Sequence, residues 1–277
     1  MAHESDLEAE EALTKDEIEG DAPPTKNAFA ELMAPKPKAQ PKPSPSRASK
    51  GFSFGGRMGL GEYLDDPQTF PSSIVLYHTE DFVAIRDKFP KATIHTLLLP
   101  RSPAVSLRHP FDALEDAAFL AKVQAETRKL RALVAGELRR TLGQHSAADR
   151  PYQDVLSGRA EPTGPDGELP AGRDWEAEVI SGVHAVPSMS HVHVHVLSRD
   201  MHSPAMRHAK HYNSFTTPFL VDVGEFPLAP DDPRRDTKRH PYLKSDLTCW
   251  RCGANFGNQF KKLKEHLEVE FKAWKKE

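Results

Sequence analysis

Three histidines alternate with valines near residue 190, in the segment SHVHVHVLS. A period of two is typical of a β-strand, because successive side chains on a strand point to opposite faces. His191, His193 and His195 would therefore share one face of a strand, while the valines between them would point into a hydrophobic core. The pattern predicts a row of imidazole rings along a solvated groove, on the last strand of a sheet.

A row of imidazoles can bind zinc, attack and hold a phosphate group, or form an inert polar face. A zinc site needs a further ligand and a carboxylate that orients a ligating histidine, and no such acid lies nearby in the sequence. The loop at 187–190 carries hydroxyl and N–H groups that suit phosphate oxygens. His184 lies on the far side of this loop and could return to the same groove. These neighbours favour phosphate chemistry without excluding the other two uses.

The central region predicts an antiparallel sheet with packed helices, that is, an α+β fold. β-Branched and aromatic runs at 73–77 and 82–87 indicate a hairpin, and the run at 93–99 indicates a third strand. Apolar residues at helical spacing predict a long helix over about 111–142. A short helical piece at 175–180 would lead into the histidine strand.

Changes in composition divide the chain into four parts. Residues 1–50 are rich in proline and charged residues, so we expect a disordered tail, either an import or nucleic-acid-binding arm or a simple solvated segment. A catalytic domain would span 51–225, with a flexible surface insertion at about 143–173 that is rich in glycine, proline and aspartate. A proline-rich linker at 226–240 would lead to a small module at 241–277.

The C-terminal module carries the two cysteines of the chain, Cys249 and Cys252. This close pair predicts a metal site in a reducing compartment, and not a disulfide. His266 and Glu270 follow with the spacing of a zinc finger, Glu270 standing where a second histidine is usual. We expect one structural Zn²⁺, with Glu270 or water as the fourth ligand. The sequence has no apolar segment that would suit a membrane span or a secretory signal.

Three blocks resemble one known family: DKFPKATIHTLLLP, HAVPSMSHVHVHVLS and HSPAMRHAKHYNSF. The histidine pattern is similar to the histidine-triad (HIT) nucleotidyl hydrolases and transferases. The three blocks together look more specifically like the aprataxin branch of that superfamily, in its fungal form with a HIT domain and a C-terminal zinc finger. The resemblance implies a nuclear enzyme of DNA single-strand break repair that removes AMP from 5′-adenylated DNA ends and releases AMP as a product.

The resemblance also implies roles for particular residues. His193 would attack the α-phosphorus and form a covalent histidyl-AMP, and His184 would act as general acid beside His195 and His191. The implied nucleotide-binding residues are Asp87, Lys91, His95, Ser188 and Met189. The implied DNA-binding residues are Arg101, Ser102, His202, Ser203, Lys210 and His211.

Two alternatives to a DNA deadenylase stay open at this point. One is a HIT hydrolase of free nucleotides or AMP-amine conjugates, and the other is a non-enzymatic zinc-finger adaptor that binds DNA. Basic residues in the C-terminal third would contact phosphates without reading bases and so favour a DNA substrate. These residues are Arg234, Arg235, Lys261, Lys262 and Lys264.

Overall fold

The computed structural model describes residues 56–162 and 167–277, and the predicted tail at 1–50 lies outside these ranges. Within the described part, six strands form an antiparallel sheet in the order β1-β2-β3-β5-β4-β6. The strands are β1 Val75–His78, β2 Phe82–Arg86, β3 His95–Pro100, β4 Val179–His184, β5 Val194–Ser198 and β6 Leu220–Val221. The predicted α+β class and its antiparallel sheet are confirmed.

Helices cover the sheet and fill its connections. The α-helices of the described residues are α1 Glu62–Asp65, α2 Pro103–Ser106, α3 Pro110–Ala113, α4 Ala117–Leu142, α5 Arg150–Leu156, α6 Ala209–Thr216 and α7 Phe260–Trp274. Short 3₁₀ turns occupy Gly56–Gly61, Pro67–Thr69, Gly143–His145, Val223–Glu225, Pro233–Arg235 and Tyr242–Lys244.

The histidine strand β5 lies inside the sheet, between β3 and β4. The short strand β6 follows it in the chain, so β5 is not the last strand as predicted. His195 pairs with Leu97 on one side and with Gly182 on the other. Glycine is needed at 182 because a Cβ there would lie 2.5 Å from the carbonyl oxygen of Val221 in β6. Strands β3 and β5 are buried along their whole length, so a histidine on either face of them is shielded from solvent.

The long helix α4 packs on the sheet through the apolar positions that its periodicity predicted. These buried residues are Leu120, Val123, Leu130, Val134 and Leu138. The helix begins at Ala117 and not near residue 111, because Asp116 caps it by accepting a hydrogen bond from the Phe119 amide at 2.8 Å. The preceding residues form the separate short helix α3.

The prediction of a short helix at 175–180 is wrong, because a turn there leads directly into β4. Trp175 is buried, and its indole Nε1 donates to Asp149 Oδ2 at 2.6 Å. Val179 pairs with Ser198 of β5. Burial of the tryptophan and pairing with β5 override the weak helical pattern, because tertiary contacts outweigh local propensity.

The predicted surface insertion at 143–173 is anchored in the core at both ends. Asp149 is fully buried and accepts a hydrogen bond from the Arg173 amide at 2.8 Å. The guanidinium of Arg173 lies 4.6 Å from the ring centroid of Trp175 and 4.9 Å from that of Trp274. It also donates to the Trp274 carbonyl at 2.7 Å. These contacts join the insertion to the end of α7.

The C-terminal module shares a hydrophobic core with the preceding domain. One cluster contains Leu197, Met201, Met206, Tyr212 and Phe215 together with Leu247, Cys249, Leu263 and Leu267. On α7, the apolar residues Leu263, Leu267 and Trp274 are buried. The described residues include no helix with the length and apolar character that crossing a membrane requires.

Candidate active site and metal centre

Three neighbouring strands bring the predicted catalytic histidines together. His95 begins β3, His184 ends β4, and His195 lies in β5, with His193 immediately before that strand. The His195 ring centroid lies 4.3 Å from that of His184, 4.8 Å from that of His193 and 5.2 Å from that of His95. All three alternating histidines were expected on one strand, but only His195 lies within it. Strand β5 begins at Val194, so His193 precedes it and His191 lies in the turn before.

The prediction that the imidazoles line a solvated groove is wrong. The five histidines of the site, His95, His184, His191, His193 and His195, are each no more than 7% exposed. Burial lowers the pKa of His193, and it holds the pKa values of His184 and His195 well below the usual range. The rings are therefore neutral at pH 7, since a buried imidazolium would lose its hydration.

The tautomer of His193 is fixed by a backbone carbonyl. Its Nδ1 lies 2.7 Å from the carbonyl oxygen of His191. A carbonyl can only accept, so Nδ1 carries the proton and Nε2 keeps its lone pair. This neutral nitrogen has the electron pair that a nucleophile requires.

A chain of hydrogen bonds fixes the tautomer of His195 as well. The Lys91 amide donates to His95 Nδ1 at 3.1 Å, so the proton of the neutral His95 ring sits on Nε2. That Nε2 lies 3.0 Å from His195 Nδ1 and donates to it. His195 therefore carries its own proton on Nε2. Burial lowers the pKa of His95 to about 4, so this arrangement persists at neutral pH.

The same chain argues against a metal ion among the histidines. One nitrogen or oxygen each of Asp87, His95 and His195 lies within 4.8 Å of the others, a spacing that a metal could use. The nitrogen that His95 would offer is the protonated Nε2, because the Lys91 amide occupies Nδ1. A proton, and not a cation, links His95 to His195.

Several polar atoms of the site are buried without a partner among the described residues. They are Nε2 of His184, Nε2 of His195 and Nδ1 of His191. An unpaired buried polar atom is costly unless a ligand or water completes it. The hydrogen-bonding capacity left at His184 and His195 suits the oxygens of a phosphate group.

Two phenylalanines close the apolar side of the histidine cluster. The Phe215 ring centroid lies 4.9 Å from that of His184 and 5.1 Å from that of His195. Phe219 lies 5.1 Å from His184. The sequence pattern did not single out either residue, although Phe215 ends the motif HYNSF. Their rings supply the desolvation that keeps the histidines neutral.

The predicted nucleotide-binding residues lie near the histidine cluster. Asp87 Oδ1 accepts from the Phe89 amide at 2.7 Å, and Asp87 Oδ2 lies 3.5 Å from His95 Nε2. Lys91 is buried, and its Nζ donates to the Phe89 carbonyl at 2.8 Å. Ser188 is half-buried in the loop that precedes His191, and the half-buried Met189 packs on the apolar cluster under β1–β3.

A tight contact with the N-terminal segment holds that loop. The Ser190 amide donates to the Arg57 carbonyl at 2.8 Å. A Cβ at Gly61 would lie 2.8 Å from Cε1 of His191, so only glycine allows this approach. Sequence reasoning did not identify Gly61, because nothing in the local pattern shows a contact with a residue this distant in sequence.

Two of the predicted DNA-binding residues are engaged within the protein. The guanidinium of Arg101 donates to the carbonyls of Leu64, Thr79 and Asp65 at 3.1, 3.0 and 3.3 Å. Ser203 is buried and donates to the Pro90 carbonyl. Both side chains thus have structural contacts, and their predicted contact with DNA stays a prediction.

The other four predicted DNA contacts lie at the ends of helices or beside the finger. Ser102 is exposed and precedes α2, while His211 is buried on α6 next to the half-buried Lys210. The ring of His202 stacks on Phe271 of α7 at 4.0 Å. Its Nε2 lies 3.1 Å from an oxygen of Glu268.

The C-terminal module brings together a set of ligands that fits zinc. The donor atoms of Cys249, Cys252 and His266 lie within 4.8 Å of one another. Cys252 Sγ is 3.1 Å from His266 Nε2, and Oε1 of Glu270 lies 3.3 Å from the same nitrogen. Thiolate, imidazole and carboxylate are the ligands that zinc prefers, so these four residues would hold a structural ion that stabilises the module.

Arg251, between the cysteines, lies beside the predicted carboxylate ligand. It pairs with Glu270 Oε2 and with Glu277. The guanidinium lowers the pKa of Glu270. Glu270 is therefore ionised and oriented, as a carboxylate ligand must be.

Comparison with known protein families agrees with both sites. A family model described as the HIT domain matches residues 69–202, and one described as the C2HE / C2H2 / C2HC zinc-binding finger matches residues 216–273. The finger match begins at the end of α6, upstream of the module predicted at 241. These matches support a nucleotide hydrolase of the histidine-triad type with a zinc-binding finger.

Relatives and solved structures cover most of the chain. An aprataxin-like protein of Saccharomyces cerevisiae is 32% identical over 225 residues, which span 78% of this chain and 95% of that protein. An aprataxin-like protein of Schizosaccharomyces pombe is 31% identical over 254 residues, which span 90% of this chain and 95% of that protein. A crystal structure of the aprataxin ortholog Hnt3 in complex with DNA matches with a TM-score of 0.61 and 29% identity, covering 79% of this chain and 96% of that one. The structure of Hnt3 in complex with DNA and guanosine matches with a TM-score of 0.60 and 30% identity, and it also covers 79% of this chain and 96% of that one. The chain therefore belongs to the aprataxin-like family of histidine-triad proteins.

Proposed function

We propose that this protein is a DNA 5′-adenylate hydrolase, which removes AMP from 5′-adenylated DNA ends through a covalent histidyl-AMP intermediate. The observation that carries the proposal is the hydrogen bond from His193 Nδ1 to the His191 carbonyl at 2.7 Å. It leaves Nε2 as a neutral nucleophile within a cluster of unpaired polar atoms. Burial lowers the pKa of His193, so this lone pair is available at neutral pH.

In the first step, Nε2 of His193 attacks the α-phosphorus of the adenylate. A phosphorus–nitrogen bond forms, and the bond from the α-phosphorus to the bridging oxygen of the anhydride breaks. The 5′-phosphorylated DNA leaves with the electron pair of that bond. The histidine becomes cationic, and the carbonyl of His191 stabilises its remaining N–H.

His195 and His184 act on the oxygens of the phosphate in this proposal. The Nε2–H of His195 donates a hydrogen bond to a non-bridging oxygen and stabilises the negative charge that develops there. The hydrogen bonds from the Lys91 amide to His95 and from His95 to His195 place this proton on Nε2. His184 is neutral without substrate, and the negative phosphate favours its protonation. It then gives its Nε2 proton to the leaving oxygen as general acid.

In the second step, a water molecule attacks the phosphorus of the histidyl-AMP. The phosphorus–nitrogen bond breaks, and its electron pair returns to Nε2 of His193. The proton of the water passes to His184, which lost its own proton in the first step. AMP leaves, His184 releases to solvent the proton that it took up when the substrate bound, and each histidine regains its starting state. We assign the ribose hydroxyls of AMP to Asp87, whose Oδ1 is already held by the Phe89 amide.

Basic residues at the start of the finger helix support a DNA substrate. Lys261, Lys262 and Lys264 lie in the first turns of α7, which has no acidic residue in its first turn. Cations at this end are disfavoured by the helix dipole, so a polyanion is their natural partner. The similar Hnt3 structures contain DNA, and one of them also contains guanosine.

The two arginines of the linker contribute less than the sequence suggested. Arg234 pairs with Asp232 at 2.8 Å and with Glu225 at 2.5 Å. Arg235 lies 3.3 Å from an oxygen of Glu115. Internal carboxylates thus already neutralise both guanidinium groups, and we assign the phosphate contacts to the lysines of α7.

A role in single-strand break repair and residence in the nucleus belong to the same proposal. A 5′-adenylate remains on DNA when ligation stops before sealing, so an enzyme that removes it would restore a 5′-phosphate that a ligase can use again. Nuclear residence can be checked by imaging the full chain with a fluorescent fusion.

The deciding experiment compares two substrates with the same zinc-loaded full-length protein. We expect kcat/KM for AMP release to be at least tenfold higher with 5′-adenylated nicked duplex DNA than with an AMP-amine conjugate. The His193→Ala variant is the control for contaminating hydrolases, and it should be inactive on both. A preference for the AMP-amine conjugate would instead indicate a hydrolase of small AMP conjugates.

A further inference from the structure

Helix α6 lies between the histidine cluster and the zinc-binding module, and its central residues contact both. Tyr212, Asn213, Ser214 and Phe215 are all buried, at 6% exposure or less. Tyr212 and Asn213 bind the backbone of the C-terminal module, whereas Ser214 and Phe215 contact the histidines. A single turn of helix therefore connects the two sites.

On the finger side, the hydroxyl of Tyr212 joins the two residues that flank Cys249. It donates to the Thr248 carbonyl at 2.9 Å and accepts from the Trp250 amide at 2.9 Å. The Asn213 side chain donates to the Ser245 carbonyl at 2.7 Å. The backbone around the first cysteine is thus held by side chains of the catalytic domain, and each side fixes the position of the other.

On the active-site side, the next two residues of α6 hold the proposed general acid. The backbone of Ser214 hydrogen-bonds to the His184 ring. The ring of Phe215 packs on His184, with centroids 4.9 Å apart. Nε2 of His184 is buried without a partner among the described residues, and the contacts with Ser214 and Phe215 help to fix the orientation of its ring.

We propose that Tyr212 is a positioning residue for His184, through which the folded zinc module keeps the general acid aligned. This rests on the proposed function, because it takes His184 as the group that protonates the leaving oxygen. Small zinc modules fold on their metal, so loss of the ion would release the backbone around Cys249 from Tyr212. The hydroxyl would then be buried without partners, and α6 would relax toward a position that satisfies it. A shift of His184 by about 1 Å is enough to slow proton transfer strongly.

The coupling predicts a dependence on the leaving group that a general loss of folding would not give. A poor leaving group, such as the amine of an AMP-amide, needs a proton from His184. A good leaving group, such as the nitrophenolate of an AMP nitrophenyl ester, departs without one. Misalignment of His184 therefore slows the first substrate and spares the second.

The test uses the zinc-loaded full chain with the conservative substitution Tyr212→Phe, which keeps the ring and removes the two hydrogen bonds. We expect kcat for the AMP-amide to fall roughly tenfold, with less than a twofold change for the nitrophenyl ester and with KM unchanged. Tyr242→Phe is the matched control, since this half-buried tyrosine of the same module makes no hydroxyl hydrogen bond to the described residues. It should behave as wild type on both substrates.

A second readout does not depend on activity. In ¹H–¹⁵N spectra of the imidazole nitrogens, the His184 resonances should shift in Tyr212→Phe and in wild type stripped of zinc by a chelator, but not in Tyr242→Phe. Chelator should also remove the metal several-fold faster from Tyr212→Phe. Unchanged kinetics on the AMP-amide with an unchanged His184 spectrum would overturn the coupling, as would equal losses on both substrates. If wild type fails on adenylated DNA while these effects are present, the proposed function fails and the coupling stands.

Discussion

Nε2 of His95 lies 3.0 Å from Nδ1 of His195, and the Lys91 amide lies 3.1 Å from the other nitrogen of the His95 ring. The two contacts leave one consistent set of protons, in which His195 presents an N–H to the substrate. His95 therefore acts on the reaction without touching the phosphorus.

The first prediction concerns this proton chain. His95→Ala removes the donor at His195 Nδ1, so the neutral His195 ring can carry its proton on either nitrogen. We expect kcat for AMP release to fall roughly a hundredfold, as when a donor to a developing oxyanion is lost. His78→Ala is the control, because His78 is exposed on β1. A kcat within threefold of wild type in His95→Ala would show that the chain does not set the tautomer.

The second prediction concerns stability at low pH. The pKa of His95 is about 4 in the folded protein, against an ordinary value of 6.5. Between these values the unfolded chain binds the proton and the folded chain does not, so stability is full above pH 6.5 and is lost as the pH falls toward 4. One such histidine contributes on the order of 3 kcal/mol to this loss. The buried His184, His193 and His195 act in the same direction, since burial lowers the pKa of each.

Urea unfolding at pH 7.5 and pH 5 measures this loss directly. We expect a lower free energy of unfolding at pH 5, and a smaller pH dependence in the His95→Asn variant. Equal stability at the two pH values would mean that the histidines take up protons equally in the folded and the unfolded protein, which would contradict the lowered pKa values.

The third prediction concerns the contact between Gly61 and His191. An added Cβ would lie 2.8 Å from Cε1 of this ring, so Gly61→Ala must displace His191 and with it the carbonyl that orients His193. We expect a fall of at least tenfold in kcat. The control is Gly136→Ala in helix α4, where the nearest atom is 3.5 Å away and belongs to a flexible arginine. That change should keep activity and stabilise the protein by about 1 kcal/mol. Full activity in Gly61→Ala would show that the position of His191 is not critical.

Much of the fold could be predicted from local patterns, whereas the surroundings of the histidines could not. The hairpin β1–β2, the strand β3 and the apolar face of α4 follow from periodicity. The helix expected at 175–180 failed because Trp175 and the pairing with β5 decide the conformation there. The histidines were expected in solvent because alternation with valine resembles a half-buried strand. They are buried because Phe215 and Phe219, distant in sequence, cover the other face.

The site residues show the same division. The spacing of Cys249, Cys252 and His266 predicted a cluster that the structure brings together. No local signal predicted that Tyr212 binds the backbone on both sides of Cys249, since that contact depends on how two modules pack. The pairing of Arg234 with Glu225 and of Arg235 with Glu115 could likewise not be predicted, because these glutamates come from other parts of the fold.

The fourth prediction concerns salt. Binding of duplex DNA through lysines releases counterions, so log affinity should fall with log salt at a slope of about −3 or steeper. Replacing Lys261 or Lys262 by glutamine should flatten the slope by roughly one unit each. Arg235→Gln is the control and should change it little, because Glu115 already neutralises this arginine. A slope near −1 that none of these changes alters would contradict a DNA-binding surface on α7.

The covalent step at His193 is the central claim, and a quenched single-turnover reaction tests it most directly. Zinc-loaded protein is mixed with 5′-adenylated nicked DNA, stopped within milliseconds to seconds, digested and analysed by mass spectrometry. We expect an adenylyl group on the peptide that contains His193, appearing before free AMP and disappearing as AMP accumulates. His193→Ala should give no adduct and less than about a hundredth of the wild-type rate. Release of AMP without an adduct, or His193→Ala activity above that level, would contradict the account.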